Sequence, residues 1–256
     1  MIRFLKELFS PSPPAISSFG RTDTGLVRDH NEDSFAILEN DHLYLVADGM
    51  GGHNAGEVAS KVAIESLVEF FSHETIRHMA GNPEEIQHQM INSLYQANEK
   101  VMAMAADNDA FSGMGCTLVA CLVDGNTLHT CHVGDARCYQ ANREGLHQIT
   151  TDHTALARFE KSTEGRTRGT KGPPRHILTR AIGFPFPEDP EYHANSLKPK
   201  DRILICSDGL WSMLPDDRLY ELLLSVPSPE KCCDIFIREA NEAGGKDNIT
   251  ALVLFC

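Results

Sequence analysis

The chain contains no run of about 18 apolar residues, the length a helix needs to cross a bilayer, so no membrane-spanning helix is expected. Its eight cysteines form no C-x-x-C pair and no regular spacing. That argues against a zinc ribbon, a dithiol redox centre and a disulfide framework. Cys116, Cys121, Cys131, Cys138 and Cys206 sit instead inside apolar, strand-like runs. Free buried thiols of this kind suit a reducing, cytoplasmic setting. Positive charge is in deficit, 23 Lys and Arg against 36 Asp and Glu, for a formal charge of −13. Such a surface cannot offset phosphate charge over a wide face, which excludes nucleic acid as a principal partner. Residues 1–9 are amphipathic but lack a secretory core and a small-residue cleavage site. There is no internal repeat.

A hydrophobic fraction of 41% supports a sizeable core. Residues 1–18 read as an N-terminal tail with a proline-rich linker, and 19–256 as one mixed domain of helices and strands. Apolar positions step by three and four over 57–71, and again from Pro83 to Met104, where Pro83, Glu84 and Glu85 open a helix. Short β-type runs at 116–123, 127–133, 137–140 and 146–150 are separated by turn chemistry and predict an antiparallel meander. Residues 151–174 read as a long exposed loop. A buried strand is expected at 202–206, a short helix capped by Asp216, a helix over 229–243 stopped by Gly244-Gly245, and a last strand at 249–255. Strands cluster and helices come in blocks, which favours antiparallel sheets with helices outside, an α+β fold.

The chain is organised around L-Y-L-V-A-D-G-M-G-G-H-N-A-G, Leu43 to Gly56. A buried strand delivers Asp48, and Gly49 follows at once. The same device recurs at Asp208-Gly209. Asp247 stands at the mouth of the final strand, Asp135 follows Gly134 at the end of another, and Glu32 and Asp33 precede a fifth. Each of these is also a common turn residue. Together they place six carboxylates where strands begin or end, positions that converge at one edge of a sandwich. Close carboxylates repel, and divalent cations reverse that repulsion. An all-oxygen ligand set suits Mg²⁺ or Mn²⁺ rather than zinc or copper.

N-E-D (31–33), D-G-M-G-G-H (48–53), G-C-T-L (115–118), G-D-A-R (134–137), T-D-H (151–153), L-T-R-A-I-G (178–183), S-D-G-L (207–210) and G-G-K-D-N-I-T (244–250) occur in this order. The chain thereby resembles the metal-dependent protein phosphatases, the type 2C Ser/Thr family, in its bacterial form. The resemblance implies a four-layer α-β-β-α sandwich, two antiparallel sheets flanked by helix pairs, with two Mn²⁺ or Mg²⁺ ions at one end. It implies that Asp48 bridges both ions, that the Gly49 carbonyl binds one with Glu32 and Asp33, and that Asp208 and Asp247 bind the other. Asp135 with Asp208 matches a weaker third site. Arg28 matches the arginine that grips the substrate phosphate, so Arg28, Asp48, Asp208 and Asp247 form the expected catalytic set. The implied chemistry is direct attack on phosphoserine or phosphothreonine by a metal-bridging hydroxide, with no cysteine nucleophile. Implied partners are phosphorylated proteins and a cognate Ser/Thr kinase; the buried thiols suit the cytoplasm, and a monomer is the default expectation. Where eukaryotic members place a histidine after the D-G pair this chain has Met50, leaving His53 and His30 as candidate proton donors. Residues 151–175 correspond to the family's flap but depart from its usual pattern. A non-catalytic phosphopeptide binder, or a phosphatase acting on an anti-sigma antagonist or a small phosphoester, would use the same fold.

Overall fold

The computed structural model describes residues 16–51, 55–162 and 172–256. Ordered by sequence, the strands are β1 (Ser17–Asp23), β2 (Asp33–Leu38), β3 (Leu43–Met50), β4 (Gly115–Cys116), β5 (Leu118–Asp124), β6 (Thr127–Val133), β7 (Arg137–Asn142), β8 (Gly145–Gln148), β9 (Glu191–Ser196), β10 (Arg202–Cys206) and β11 (Ile249–Phe255). The helices are α1 (Ala55–Phe70), α2 (His73–Met79), α3 (Pro83–Asp107), α4 (Ala155–Lys161), α5 (Asp208–Trp211), α6 (Asp216–Ser225) and α7 (Pro229–Glu242).

The strands form two antiparallel sheets, ordered β1-β11-β10-β7-β8 and β2-β3-β5-β6-β9. Period-2 alternation sorts their side chains. Val46, Val119, Cys121, Ile203, Ile205 and Leu252 face each other between the sheets. The opposite face of the second sheet, with Leu45 and Leu118, is covered by Leu67, Met90 and Leu94 of α1 and α3. The outer face of the first, with Leu204 and Val253, is covered by Leu219, Leu223 and Phe236 of α6 and α7. The result is the four-layer α-β-β-α sandwich expected.

The run from Cys116 to Thr150 is not one meander. β5 and β6 pair in one sheet while β7 and β8 pair in the other, and the chain crosses between them at Gly134-Asp135. The reading failed because a tight turn that changes sheet and one that makes a hairpin use the same residues. Residues 151–174 are not all loop: Thr154 caps α4, its Oγ1 accepting from the Ala157 amide at 3.1 Å. Asp216 is the first residue of α6; Pro215 is the N-cap and supplies no capping side chain. Residues 1–15 lie outside the described residues, as do 163–171 of the flap.

Candidate metal centre and active site

Five separate segments deliver the acidic residues to one end of the sandwich. β2 opens with Asp33 directly opposite Asp48 in β3. The loop before β2 carries Arg28 and Glu32. Asp135 sits in the β6–β7 turn, Asp208 begins α5 immediately after β10, and Asp247 precedes β11. Strand ends from both sheets therefore meet here, and the residues expected from sequence do come together. Asp48 feels the charges of Asp33, Asp208, Asp135 and Asp247.

The strand carrying Asp48 continues past it. Gly49 pairs with Cys116 and Met50 with Gly115 in β4, where sequence ended the strand at Ala47. Gly49 has no room for a side chain: a Cβ there would lie 2.2 Å from the Gly56 carbonyl oxygen and 2.5 Å from that of Glu32. This close approach presses the first turn of α1 against the N-E-D segment, and the Gly49 amide donates to the Glu32 carbonyl at 3.1 Å.

Burial and mutual repulsion dominate the electrostatics. Loss of hydration raises the carboxyl of Glu32, with Arg28 acting against it. Burial lifts Asp33 to about 7 despite hydrogen bonds from Thr250 (2.6 Å) and Ser207 (2.7 Å), both to Oδ2. Asp48 is pushed well above the ordinary carboxylate range by desolvation and then by Asp33. Asp135 is raised to about 7 by burial and Asp208, and Asp208 to about 6 by burial and Asp247. Glu32 Oε1 and Asp33 Oδ1 are buried without a hydrogen-bond partner. Buried oxygens without partners are costly. A set of hard, crowded carboxylate oxygens, two of them unsatisfied, fits a divalent cation such as Mg²⁺ or Mn²⁺.

Arg28 is half exposed, and one terminal nitrogen donates to Asp247 Oδ2 at 2.8 Å. His30 is exposed, and its carbonyl accepts from Asn248. His53 lies outside the described residues. The Met50 methyl approaches Gly115 and lines a cavity of about 360 Å³ with Leu178, Ala181 and Phe184.

Sequence reading passed over several residues. Asn248 accepts from the Glu32 amide at 2.9 Å and donates to the carbonyls of Thr24 and His30, tying the Arg28–Glu32 loop to β11. Ser207 and Thr250 hold Asp33. The signal was present, since all three lie inside S-D-G-L and K-D-N-I-T. The spacing C-x₅-R, a cysteine-phosphatase signature, also occurs twice, at Cys131–Arg137 and Cys232–Arg238. Neither forms a phosphate loop. Cys131 is fully buried in β6 and Cys232 in α7, and burial raises both thiols, Cys232 to about 12.

A family model, Protein phosphatase 2C, matches residues 19–249. The chain is 34% identical over 238 residues to the serine/threonine phosphatase Stp of Listeria monocytogenes, covering 91% of this chain and 93% of that protein. It is 33% identical over 236 residues to the serine/threonine protein phosphatase PstP of Mycobacterium tuberculosis, covering 43% of that longer protein. Among solved structures, Stp1 of Staphylococcus aureus superposes with a TM-score of 0.85 at 30% identity, covering 96% of each chain. The catalytic domain of PstP in complex with two manganese ions superposes with a TM-score of 0.80 at 32% identity, covering 94% of this chain and 97% of that one. On sequence and fold together, this chain belongs to the protein phosphatase 2C family.

Proposed function

We propose that this protein is a divalent-cation-dependent protein phosphatase that hydrolyses phosphoserine and phosphothreonine. One observation carries the site assignment: crowded carboxylates from both sheets, with buried Glu32 and Asp33 oxygens left unpartnered. The relatives' activity and the two manganese ions of the PstP complex support the same reading.

In this reading Asp48, Glu32, Asp33 and the Gly49 carbonyl hold one cation, Asp48, Asp208 and Asp247 a second, and Asp135 with Asp208 a weaker third. When bound, such cations activate water as a nucleophile and neutralise phosphoryl charge. Asp48 sits between the β2 and β10 contributions and orients both halves of the centre. Arg28 grips the equatorial phosphate oxygens, its guanidinium held at the rim by Asp247, so that the ester bond points away from the carboxylates. Asn248 fixes the loop that carries Arg28 and Glu32. Solvent, or exposed His30, delivers the proton to the departing alkoxide; His53 stands as the other candidate. Residues 19–256 form the catalytic domain, acting in the cytoplasm as a monomer that opposes a Ser/Thr kinase in signalling.

The test is turnover of phosphoserine and phosphothreonine peptides with Mn²⁺ and with excess EDTA. Turnover should require Mn²⁺ and fall to background in Asp208→Ala. Metal-independent turnover, or full activity in Asp208→Ala, overturns the assignment. Tight phosphopeptide retention without turnover would identify a binding protein instead.

A further inference from the structure

T-D-H at 151–153 and the histidines around it have no place in the reaction described. His132, His153 and Glu191 bring one donor atom each within 4.8 Å of one another. His153 spends both ring nitrogens on hydrogen bonds, while His132 Nδ1 is buried without a partner. The Gly134 amide donates to His153 Nδ1 at 3.2 Å. A neutral ring accepting there carries its proton on Nε2, and that nitrogen faces Glu191 Oε2 at 3.2 Å. His193 holds the other oxygen of Glu191 at 2.8 Å. His132 stacks on His153 with ring centroids 4.6 Å apart, and its Nε2 bonds the Thr151 carbonyl. The arrangement fixes one tautomer of His153 and aims its acceptor at Gly134, as carboxylates fix histidines behind catalytic centres.

What that acceptor holds is the turn presenting Asp135. Gly134 has φ +98, and a Cβ would lie 2.5 Å from Thr117, so only glycine fits here, and so permissive a residue needs external support to keep this conformation. His153 supplies it twice, since its own amide also donates to the Gly134 carbonyl at 2.9 Å. Asp152 braces the other side. It accepts two bonds from Arg137, at 2.8 and 2.6 Å. The Arg137 guanidinium lies 3.6 Å over the Trp211 ring, and Trp211 Nε1 donates to the Asp135 carbonyl at 3.0 Å. Consecutive residues thus clamp the residue before Asp135 and, through Arg137 and Trp211, Asp135 itself. The same segment roots the flap: the Thr179 amide donates to the His153 carbonyl and Thr154 caps α4.

We infer that Asp152 and His153 are positioning residues for Asp135, and that they set the affinity of the cation shared by Asp135 and Asp208. This rests on the assignment of Asp135 as a ligand of the weaker cation. The probe is Mn²⁺ alone, with free ion followed by electron paramagnetic resonance in titrations of the full chain. Melting temperature is measured alongside. Asp135→Asn should abolish a weaker binding class and leave the tight ions in place. Asp152→Asn and His153→Leu should weaken that class about tenfold and change the tight ions less than twofold. His153→Asn keeps an acceptor near the Nδ1 position and should recover part of the loss. A weaker class that depends on Asp135 but is untouched by Asp152→Asn and His153→Leu overturns the inference alone. Tight and weak ions weakened in parallel with a lower melting temperature also overturn it, because that is general destabilisation. An isotherm unaffected by Asp135→Asn overturns the cation assignment and the inference with it.

Discussion

Arg28 stands among carboxylates whose repulsion it relieves, and in the proposed function its guanidinium must also remain available to a phosphate at the rim. The geometry reconciles these demands by using one terminal nitrogen for Asp247 Oδ2 and leaving the group half exposed. Lysine keeps the charge but not the planar fork, so Arg28→Lys removes bidentate recognition while sparing the electrostatics. A charge-assisted bond is worth about 1.5–3 kcal/mol, so kcat/KM for a phosphopeptide should fall roughly 10- to 150-fold. Mn²⁺ affinity should stay near the wild-type value. Steady-state kinetics with a parallel metal titration checks this, and unchanged kcat/KM would remove Arg28 from the substrate site. At this scale the sequence was most legible where backbone chemistry is repeated. Asp48-Gly49 and Asp208-Gly209 are each ordinary turn chemistry when taken singly, and they became legible because the same device recurs at the ends of two buried strands, with further carboxylates at other strand ends. The support residues did not. Ser207, Asn248 and Thr250 are ordinary polar residues until the fold places them behind Asp33 and Glu32.

Elements were legible in proportion to their burial. β3, β10 and β11 are nearly continuous apolar runs, and α3 carries a long stripe from Ile86 to Val101, so each was expected within a few residues. β9, E-Y-H-A-N-S, was missed because it is an edge strand with half-exposed side chains and no clean alternation. α2 and α4, of seven residues each, are too short for periodicity to register. The crossing at Gly134 was misread because sheet membership depends on tertiary pairing. The joint between β11 and the β1–β2 loop is a further tertiary feature, and it rests on Asn248. This side chain is 4% exposed and makes three hydrogen bonds to the loop backbone. Asn248→Ala would leave the Glu32 amide and two carbonyls without their partner. At about 1 kcal/mol for each bond the loss is about 3 kcal/mol, or roughly 6–12 °C in melting temperature for a chain of this size. The Arg28–Glu32 loop should also exchange its amide hydrogens faster than the rest of the sheet. Thermal melts with hydrogen exchange decide it, and a shift below about 2 °C with unchanged exchange would contradict the joint.

The whole molecule carries its cluster of buried carboxylates as a store of electrostatic strain, and this gives stability a pH dependence that cations should erase. Asp33 and Asp135 are raised to about 7 and Asp208 to about 6 in the folded chain, against about 4 when unfolded. A raised carboxyl holds its proton more tightly in the folded state, so its stabilising contribution is complete below about pH 4 and is lost as pH rises through 6 and 7. The metal-free protein should therefore lose stability from about pH 5 to pH 8 through these groups. Buried His132, lowered to about 4, acts in the opposite sense, because it must be neutral to stay folded and costs stability as pH falls below about 6.5. Raw melting curves would mix the two effects. Comparing metal-free with Mn²⁺-loaded protein separates them, since His132 contributes to both states while cations cancel only the carboxylate repulsion. For Asp135 alone a displacement from about 4 to about 7 is worth roughly 4 kcal/mol, on the order of 10 °C in melting temperature. About two thirds of that falls between pH 5 and pH 8, so the gain from Mn²⁺ should grow by roughly 7 °C or more over that range, and should shrink in Asp135→Asn, which has no charge to relieve there. A gain that is the same at both pH values would show that the carboxylates are not strained by one another. The cation-driven account of how this end of the sandwich is held together would then have to be abandoned.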